Sequence, residues 1–262
     1  MYIIPGTASK SISEDLSKIL DAPLAKIITK RFPDSELYVR LLDDVEGEEV
    51  VIVQTSYPDP NIIELFLLQN AAIEADAEII TTVIPYFVYA RQDTMFKKGE
   101  AISAKAIAEL ISLNSDRVIT VDPHKEYILD FFETEAFSCS AVPNIAEYFK
   151  TKDLDLILAP DKGALERAKK ASNIVACDFD YMEKTRIDGE TVEIKPKNLD
   201  VKNMKVGIID DIISTGGTMA KSIKELRKQG ASKVFVSCTH GLFAETKKKD
   251  MELRKTEKEL QK

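Results

Sequence analysis

The chain is short of cysteine, of net positive charge and of long apolar runs, and each shortage excludes a class of protein. Its 262 residues contain three cysteines, Cys139, Cys177 and Cys238, widely spaced and without a C-x-x-C pair. A disulfide-stapled secreted scaffold and a zinc knuckle are thereby excluded. Cys177 and Cys238 lie in strand-like runs, where a cysteine behaves as a small hydrophobe. Lys+Arg 36 against Asp+Glu 44 leaves a net charge of −8, so the global basic footprint of a nucleic-acid binder is missing. The most apolar stretches, Ile62–Leu68 and Val83–Ala90, fall far short of the roughly 20 residues of a spanning helix. Met1 to Gly6 has no basic region and turns too early for a signal peptide. The expectation is a soluble cytoplasmic protein that engages neither nucleic acid nor membrane.

What is present is an alternation. Strand-length apolar runs stand at Tyr2–Pro5, Val50–Gln54, Glu78–Ile84, Arg117–Asp122, Leu156–Ala159, Lys205–Ile209 and Lys233–Cys238. Between them, Ser11–Leu20, Asn61–Ala75, Ser103–Leu113, Asn144–Phe149, Ala164–Ala171 and Met219–Gln229 carry apolar residues at helical spacing. Continuous Val/Ile runs separated by helices point to parallel strands buried on both faces, hence an α/β fold. Ala25–Ile28 and Val39–Leu42 add an antiparallel flap. Two successive α/β units are expected, with Pro143 as the boundary after an irregular stretch, Thr134–Ala141. Residues 1–142 form the first domain, 143–244 the second, and 245–262 a charged tail. Thr185–Asn203 reads as a long loop or hairpin of the kind that is usually functional or disordered.

One segment carries the chemistry: Val206-Gly-Ile-Ile-Asp-Asp-Ile-Ile-Ser-Thr-Gly-Gly-Thr218, followed by a helix. A buried strand ends in two carboxylates and then in a small-residue loop that opens onto the helix. In an open α/β sheet, ligands sit beyond a strand's carboxyl end. Ser214, Thr215, Gly216, Gly217 and Thr218 offer backbone N–H groups, hydroxyls and a helix N-terminus to a phosphate. The carboxylates of Asp210 and Asp211 are acceptor-only groups suited to vicinal hydroxyls. A diol with a phosphate a few ångströms away describes ribose 5-phosphate. A Walker A loop is excluded, because no Gly-Lys-Ser/Thr follows.

This string resembles the phosphoribosyl-diphosphate loop shared by phosphoribosyltransferases and ribose-phosphate pyrophosphokinases. Arg31-Phe-Pro-Asp-Ser-Glu36, Pro85 to Asp93, Asp122-Pro-His124, Ala159-Pro-Asp-Lys-Gly163 and Glu183-Lys-Thr-Arg186 resemble signatures of the pyrophosphokinases, in that family's order. The likeness covers about residues 1–243 and is closest to archaeal members. It implies two phosphoribosyltransferase-like domains with mostly parallel sheets flanked by helices. It also implies a Mg²⁺-dependent transfer of the β,γ-diphosphate of ATP to the 1-hydroxyl of ribose 5-phosphate, for nucleotide biosynthesis. By the same resemblance Lys184 and Arg186 are the catalytic pair, with Arg186 also at the sugar phosphate. His124 and Asp161 match the positions for Mg²⁺ and the triphosphate, Asp161 being the more natural direct ligand. Phe32, Asp34, Ser35 and Glu36 match nucleotide-contacting positions, as do Arg91, Gln92 and Asp93. In the family these segments meet across a subunit interface, which implies a homodimer or an assembly of dimers.

Three departures qualify the likeness. Ser214 stands where many relatives have Asp, and Thr94 where a basic residue is usual. After Phe243 the family continues through another strand and a closing helix, whereas this chain passes into its charged tail. Lower stability or altered assembly is the expectation. Two other readings stay open on sequence: a non-catalytic regulatory homologue on the same fold, and a phosphoribosyltransferase.

Overall fold

The computed structural model of the chain describes residues 1–186, 192–196 and 200–244, with 184–186 and 192–196 described by backbone alone. The expected tail, 245–262, lies outside the described residues. The chain divides into two compact units, Met1–Ser140 and Ala141–Lys262. Pro143 lies in the first turn of a helix, where its missing N–H leaves no bond unmade.

The first unit runs β1 (Tyr2–Pro5), α1 (Lys10–Leu20), β2 (Ile27–Arg31), β3 (Leu37–Leu41), β4 (Glu49–Val53), α2 (Pro60–Ile73), β5 (Ile79–Ile84), α3 (Ser103–Ser112), β6 (Arg117–Val121) and β7 (Glu135–Cys139). Its main sheet is parallel in the order β1-β4-β5-β6-β7. The flap is an antiparallel pair, β2 with β3. Successive side chains leave opposite faces of a strand. Accordingly Ile4, Ile52 and Ile84 pack into one cluster with Leu65, Leu68 and Phe87, while Ile3, Val51 and Val53 pack into another. Burial on both faces is why these strands read as unbroken apolar runs.

The second unit runs α4 (Val142–Lys150), β8 (Leu156–Ala159), α5 (Leu165–Val175), β9 (Asp178–Arg186), β10 (Val192–Pro196), β11 (Lys205–Ile213), α6 (Gly217–Lys228) and β12 (Lys233–Gly241). Its sheet order is β10-β9-β8-β11-β12, parallel except for the antiparallel β9–β10 pair. Again two clusters form, Ile157, Ala159 and Ile209 with Phe149 on one side, and Leu156, Leu158, Val206 and Ile208 with Leu226 on the other. Gly207 is required by close packing, since a Cβ there would stand 2.6 Å from Leu154 Cδ1 and 3.2 Å from the Phe149 ring.

Several expectations need correcting. Thr134–Ala141 is not irregular, because Glu135–Cys139 forms the outer strand of the first sheet, alternately exposed and half-buried. β11 does not stop at Ile209 and runs through both acids to Ile213, paired with β12 as far as Gly241. Cys177 precedes β9 rather than lying in a strand. Among the described residues no helix is long and apolar enough to cross a membrane.

Candidate functional site

The second sheet reverses direction at its centre. From β8 the chain winds outward to β9, then returns to lay β11 on the other side of β8. Such a switch point opens a crevice beyond the carboxyl ends of the two central strands. Asp161 follows β8 there, and Asp210, Asp211 and the 214–218 loop lie at the end of β11.

Gly216 has φ +76°, the left-handed region that favours glycine, and turns the chain into α6. No side chain caps that helix end, and Thr215, Gly217 and Thr218 are exposed. Ser214 is half-buried, its carbonyl taken by the Ala244 N–H at 2.8 Å. The loop thus presents N–H groups and hydroxyls to solvent at the positive end of a helix dipole.

The two acids differ. Asp211 is buried, and its Oδ1 lies 3.8 Å from Nη1 of Arg167 on α5. Asp210 is half-buried, and its Oδ1 accepts from the Asp211 N–H at 2.9 Å. Burial, a hydrogen bond with Asp211 and the Asp211 charge push Asp210 up to about 7, against smaller opposing pulls from the Asp211 N–H and then from Arg167. Cys238 faces Asp210 across the β11–β12 ladder, and burial pushes its thiol up. Arg167 was missed by sequence reasoning, since nothing local separates it from the lysines at 169 and 170.

Asp161 is exposed, and its Oδ1 accepts from Gly163 N–H at 2.8 Å and Ala164 N–H at 3.3 Å. That fixes the carboxylate at the crevice with a second oxygen to offer a cation. His124, half-buried, belongs to the first unit, just after Asp122, which has φ +38°. Among the described residues no group of three or more His, Cys, Asp or Glu side chains could hold a metal. Mg²⁺ does not need such a cage, because it is commonly bound through one or two carboxylates, waters and substrate phosphates. A fixed Asp161 fits that donor set.

Lys184 and Arg186 fall in the second half of β9, opposite Ile194 and Val192 of β10. Their side chains lie outside the described residues. Spacing of two places both on one face of the strand.

The expected nucleotide residues lie in the first unit. Phe32, Asp34, Ser35 and Glu36 form the exposed tip between β2 and β3. Phe32 meets Tyr38 edge-on at 5.8 Å, with Lys30 Nζ 4.9 Å from the Tyr38 centroid. Asp34 accepts from the Glu36 N–H at 3.1 Å, and Arg31 donates to the Ser35 carbonyl at 2.7 Å, which shapes the turn. Arg91 is exposed, whereas the Gln92 amide donates to the carbonyls of Thr94 and Ala101 at 3.2 and 3.4 Å. Asp93 accepts from the Tyr127 hydroxyl at 2.5 Å. Beside the flap lies a groove of about 1010 Å³, walled by Ile62, Ile63, Phe66 and Ile107 and edged by Arg31 and Glu36.

Comparison with known proteins follows the same division. Residues 1–113 match the family described as the N-terminal domain of ribose phosphate pyrophosphokinase, and residues 142–262 match the phosphoribosyl transferase domain. A ribose-phosphate pyrophosphokinase of Methanothermobacter thermautotrophicus is 41% identical over 245 residues, covering 93% of this chain and 86% of that protein. One from Pyrococcus furiosus is 42% identical over 246 residues, covering 93% and 87%. The crystal structure of phosphoribosylpyrophosphate synthetase from Mycobacterium smegmatis superposes with a TM-score of 0.83 at 27% identity, covering 93% of this chain and 82% of that one. With both of its units matched and its relatives alike over most of their length, the chain belongs to the ribose-phosphate pyrophosphokinase family.

Proposed function

We propose that this enzyme transfers the β,γ-diphosphoryl group of ATP to the 1-hydroxyl of ribose 5-phosphate, giving phosphoribosyl diphosphate and AMP. The observation that carries the reading is the end of β11, where an acid pair stands beside an uncapped, glycine-turned helix N-terminus. The loop from Ser214 to Thr218 holds the 5-phosphate, and Asp210 and Asp211 accept from the 2- and 3-hydroxyls. This leaves the 1-hydroxyl directed away from the loop for in-line attack on the β-phosphorus, with AMP as the leaving group.

Phosphoryl transfer asks little covalent work of a protein, so positioning and charge neutralisation dominate. Lys184 and Arg186 meet the charge that develops on the transferring phosphoryl oxygens. Asp161 would hold Mg²⁺ together with waters and the triphosphate, and the ion would offset phosphate charge there; His124, on the first unit, offers a ring nitrogen to a triphosphate or its metal. Phe32 offers a ring to adenine, Asp34, Ser35 and Glu36 offer acceptors, Arg91 pairs with the polyphosphate, and Gln92 and Asp93 brace the segment that carries it. The enzyme works as a homodimer or an assembly of dimers in the cytoplasm. The exposed flap tip and the apolar groove beside it support an assembly.

The test is AMP formation by the purified chain with ATP, Mg²⁺ and ribose 5-phosphate. Sugar-dependent AMP matched by phosphoribosyl diphosphate is the expected result. AMP that forms equally without the sugar, or no AMP from a folded, nucleotide-binding protein, overturns it.

A further inference from the structure

The acid pair poses an electrostatic problem. Two adjacent carboxylates at the end of a strand repel one another, yet both must act as acceptors to grip a diol. A protonated carboxyl donates and loses acceptor capacity. Burial and the neighbouring Asp211 charge already favour a proton on Asp210. The Asp211 N–H, donating to Asp210 Oδ1 at 2.9 Å, opposes them in part, and a neighbouring cation adds to that opposition.

We infer that Arg167 is the positioning residue that keeps the Asp210–Asp211 pair in its diol-accepting state. The inference rests on the ribose-phosphate reading of this site. Arg167 stands on the first turn of α5, its side chain 16% exposed and that of Asp211 8% exposed, with 3.8 Å between Nη1 and Oδ1. At that separation the contact is an ion pair longer than a hydrogen bond. A screened cation so close still biases both acids toward their charged forms. Among the described residues, the other elements packed on β11 bring few cations toward the pair. β12 brings Cys238 opposite Asp210 and His240 opposite Ile212, while the turn after β8 brings Asp161 and Lys162. Lys162 is exposed, and among the described residues of these elements Arg167 is the half-buried cation. Its rigid planar head, always charged, suits that role better than a lysine would.

The role predicts selectivity for the diol. Calorimetric binding of ribose 5-phosphate and of 2-deoxyribose 5-phosphate is measured for wild type, R167K and R167M, with a melt to check each fold. In R167M, ribose 5-phosphate weakens about tenfold while the deoxy sugar, which lacks one hydroxyl, changes less than about twofold. R167K recovers a large part of the discrimination, and kcat at saturating sugar stays within about threefold of wild type in every variant. R167Q replaces R167M if the latter does not fold. Equal losses for both sugars make Arg167 merely structural, and unchanged discrimination removes it from the site. Either result overturns the inference. Because binding is read without turnover, failure of diphosphoryl transfer is separate: a wild type that discriminates the sugars but makes no AMP breaks the functional reading and leaves the role of Arg167 standing.

Discussion

Each unit has a parallel strand that ends in a loop of small residues and opens a helix, and the two corners are finished in opposite ways. After β1, Gly6 to Ser9 lead into α1. There the loop is satisfied from within: Glu64 accepts from the Thr7 N–H at 2.8 Å and from its hydroxyl, and Gln54 accepts from the Ala8 N–H at 3.1 Å. A Cβ on Gly6 would stand 2.2 Å from the Gln54 side chain, which packs directly against the loop. After β11 the loop residues Thr215, Gly217 and Thr218 are exposed, no side chain caps α6, and a Cβ on Gly217 would meet nothing nearer than 3.7 Å. On the proposed reading, a strand–loop–helix corner serves a phosphate where the protein leaves its donors without a side-chain cap. In the first unit a buried carboxylate answers them and the corner is structural.

The largest effect is expected at the proposed catalytic pair. Lys184→Ala should lower kcat by about a thousandfold or more, with the KM for ATP within about threefold. A matching loss of ATP affinity would make Lys184 a ground-state binding residue.

Next comes the independence of the two cores. Phe149, fully buried beneath Gly207, belongs to the second unit alone. Phe149→Ala should cost about 3–5 kcal/mol and lower hydrogen-exchange protection in β8 and β11 first. Equal loss of protection in β4 and β5 would show that the two units melt as one.

The two corners can then be exchanged for each other's phenotype. Asp211→Asn should raise the KM for ribose 5-phosphate about tenfold with a nearly unchanged melt. Glu64→Ala should do the reverse, removing about 2 kcal/mol of stability through stranded N–H and hydroxyl groups while leaving that KM alone. A KM effect from Glu64→Ala would end the contrast.

A pH dependence sharpens the comparison at the acid pair itself. Asp210 is raised from 3.8 to about 7 in the folded protein, so the folded state binds its proton more tightly. Its contribution to stability is therefore complete below its unfolded value and is lost as pH rises through the folded one. Against Asp210→Asn, the wild type should lose relative stability in urea titrations between roughly pH 4 and 7. A flat difference would mean that the pair shares its proton otherwise.

The sequence made much of this legible, for a physical reason. Strands such as Val50–Val53 and Val206–Ile209 are buried on both faces and so write continuous apolar runs. The glycines and small hydroxyls of 214–218 write the loop in local chemistry. Features that depend on distant partners were not legible. β7 is an outer strand with only half-buried positions, and its Glu, Ser and Cys residues look like a loop. Arg167 meets Asp211 across 44 positions, and the Glu64–Thr7 contact spans 57. The seven-residue reach of a motif holds no trace of either.

The strand orders also bear on how the molecule is made. In the first sheet each strand after β1 joins the open side of the one synthesised before it, β4 then β5, β6 and β7. Such a sheet can grow while the chain is still emerging from the ribosome. The second sheet grows first on one side of β8, with β9 and β10, and only afterwards on the other, when β11 is made. The strand proposed to carry the sugar site thus joins its sheet late in synthesis, after β8, β9 and β10 are in place. On ribosome-stalled chains, protection in β5 should precede protection in β8, and the opposite order would refute this sequence of events.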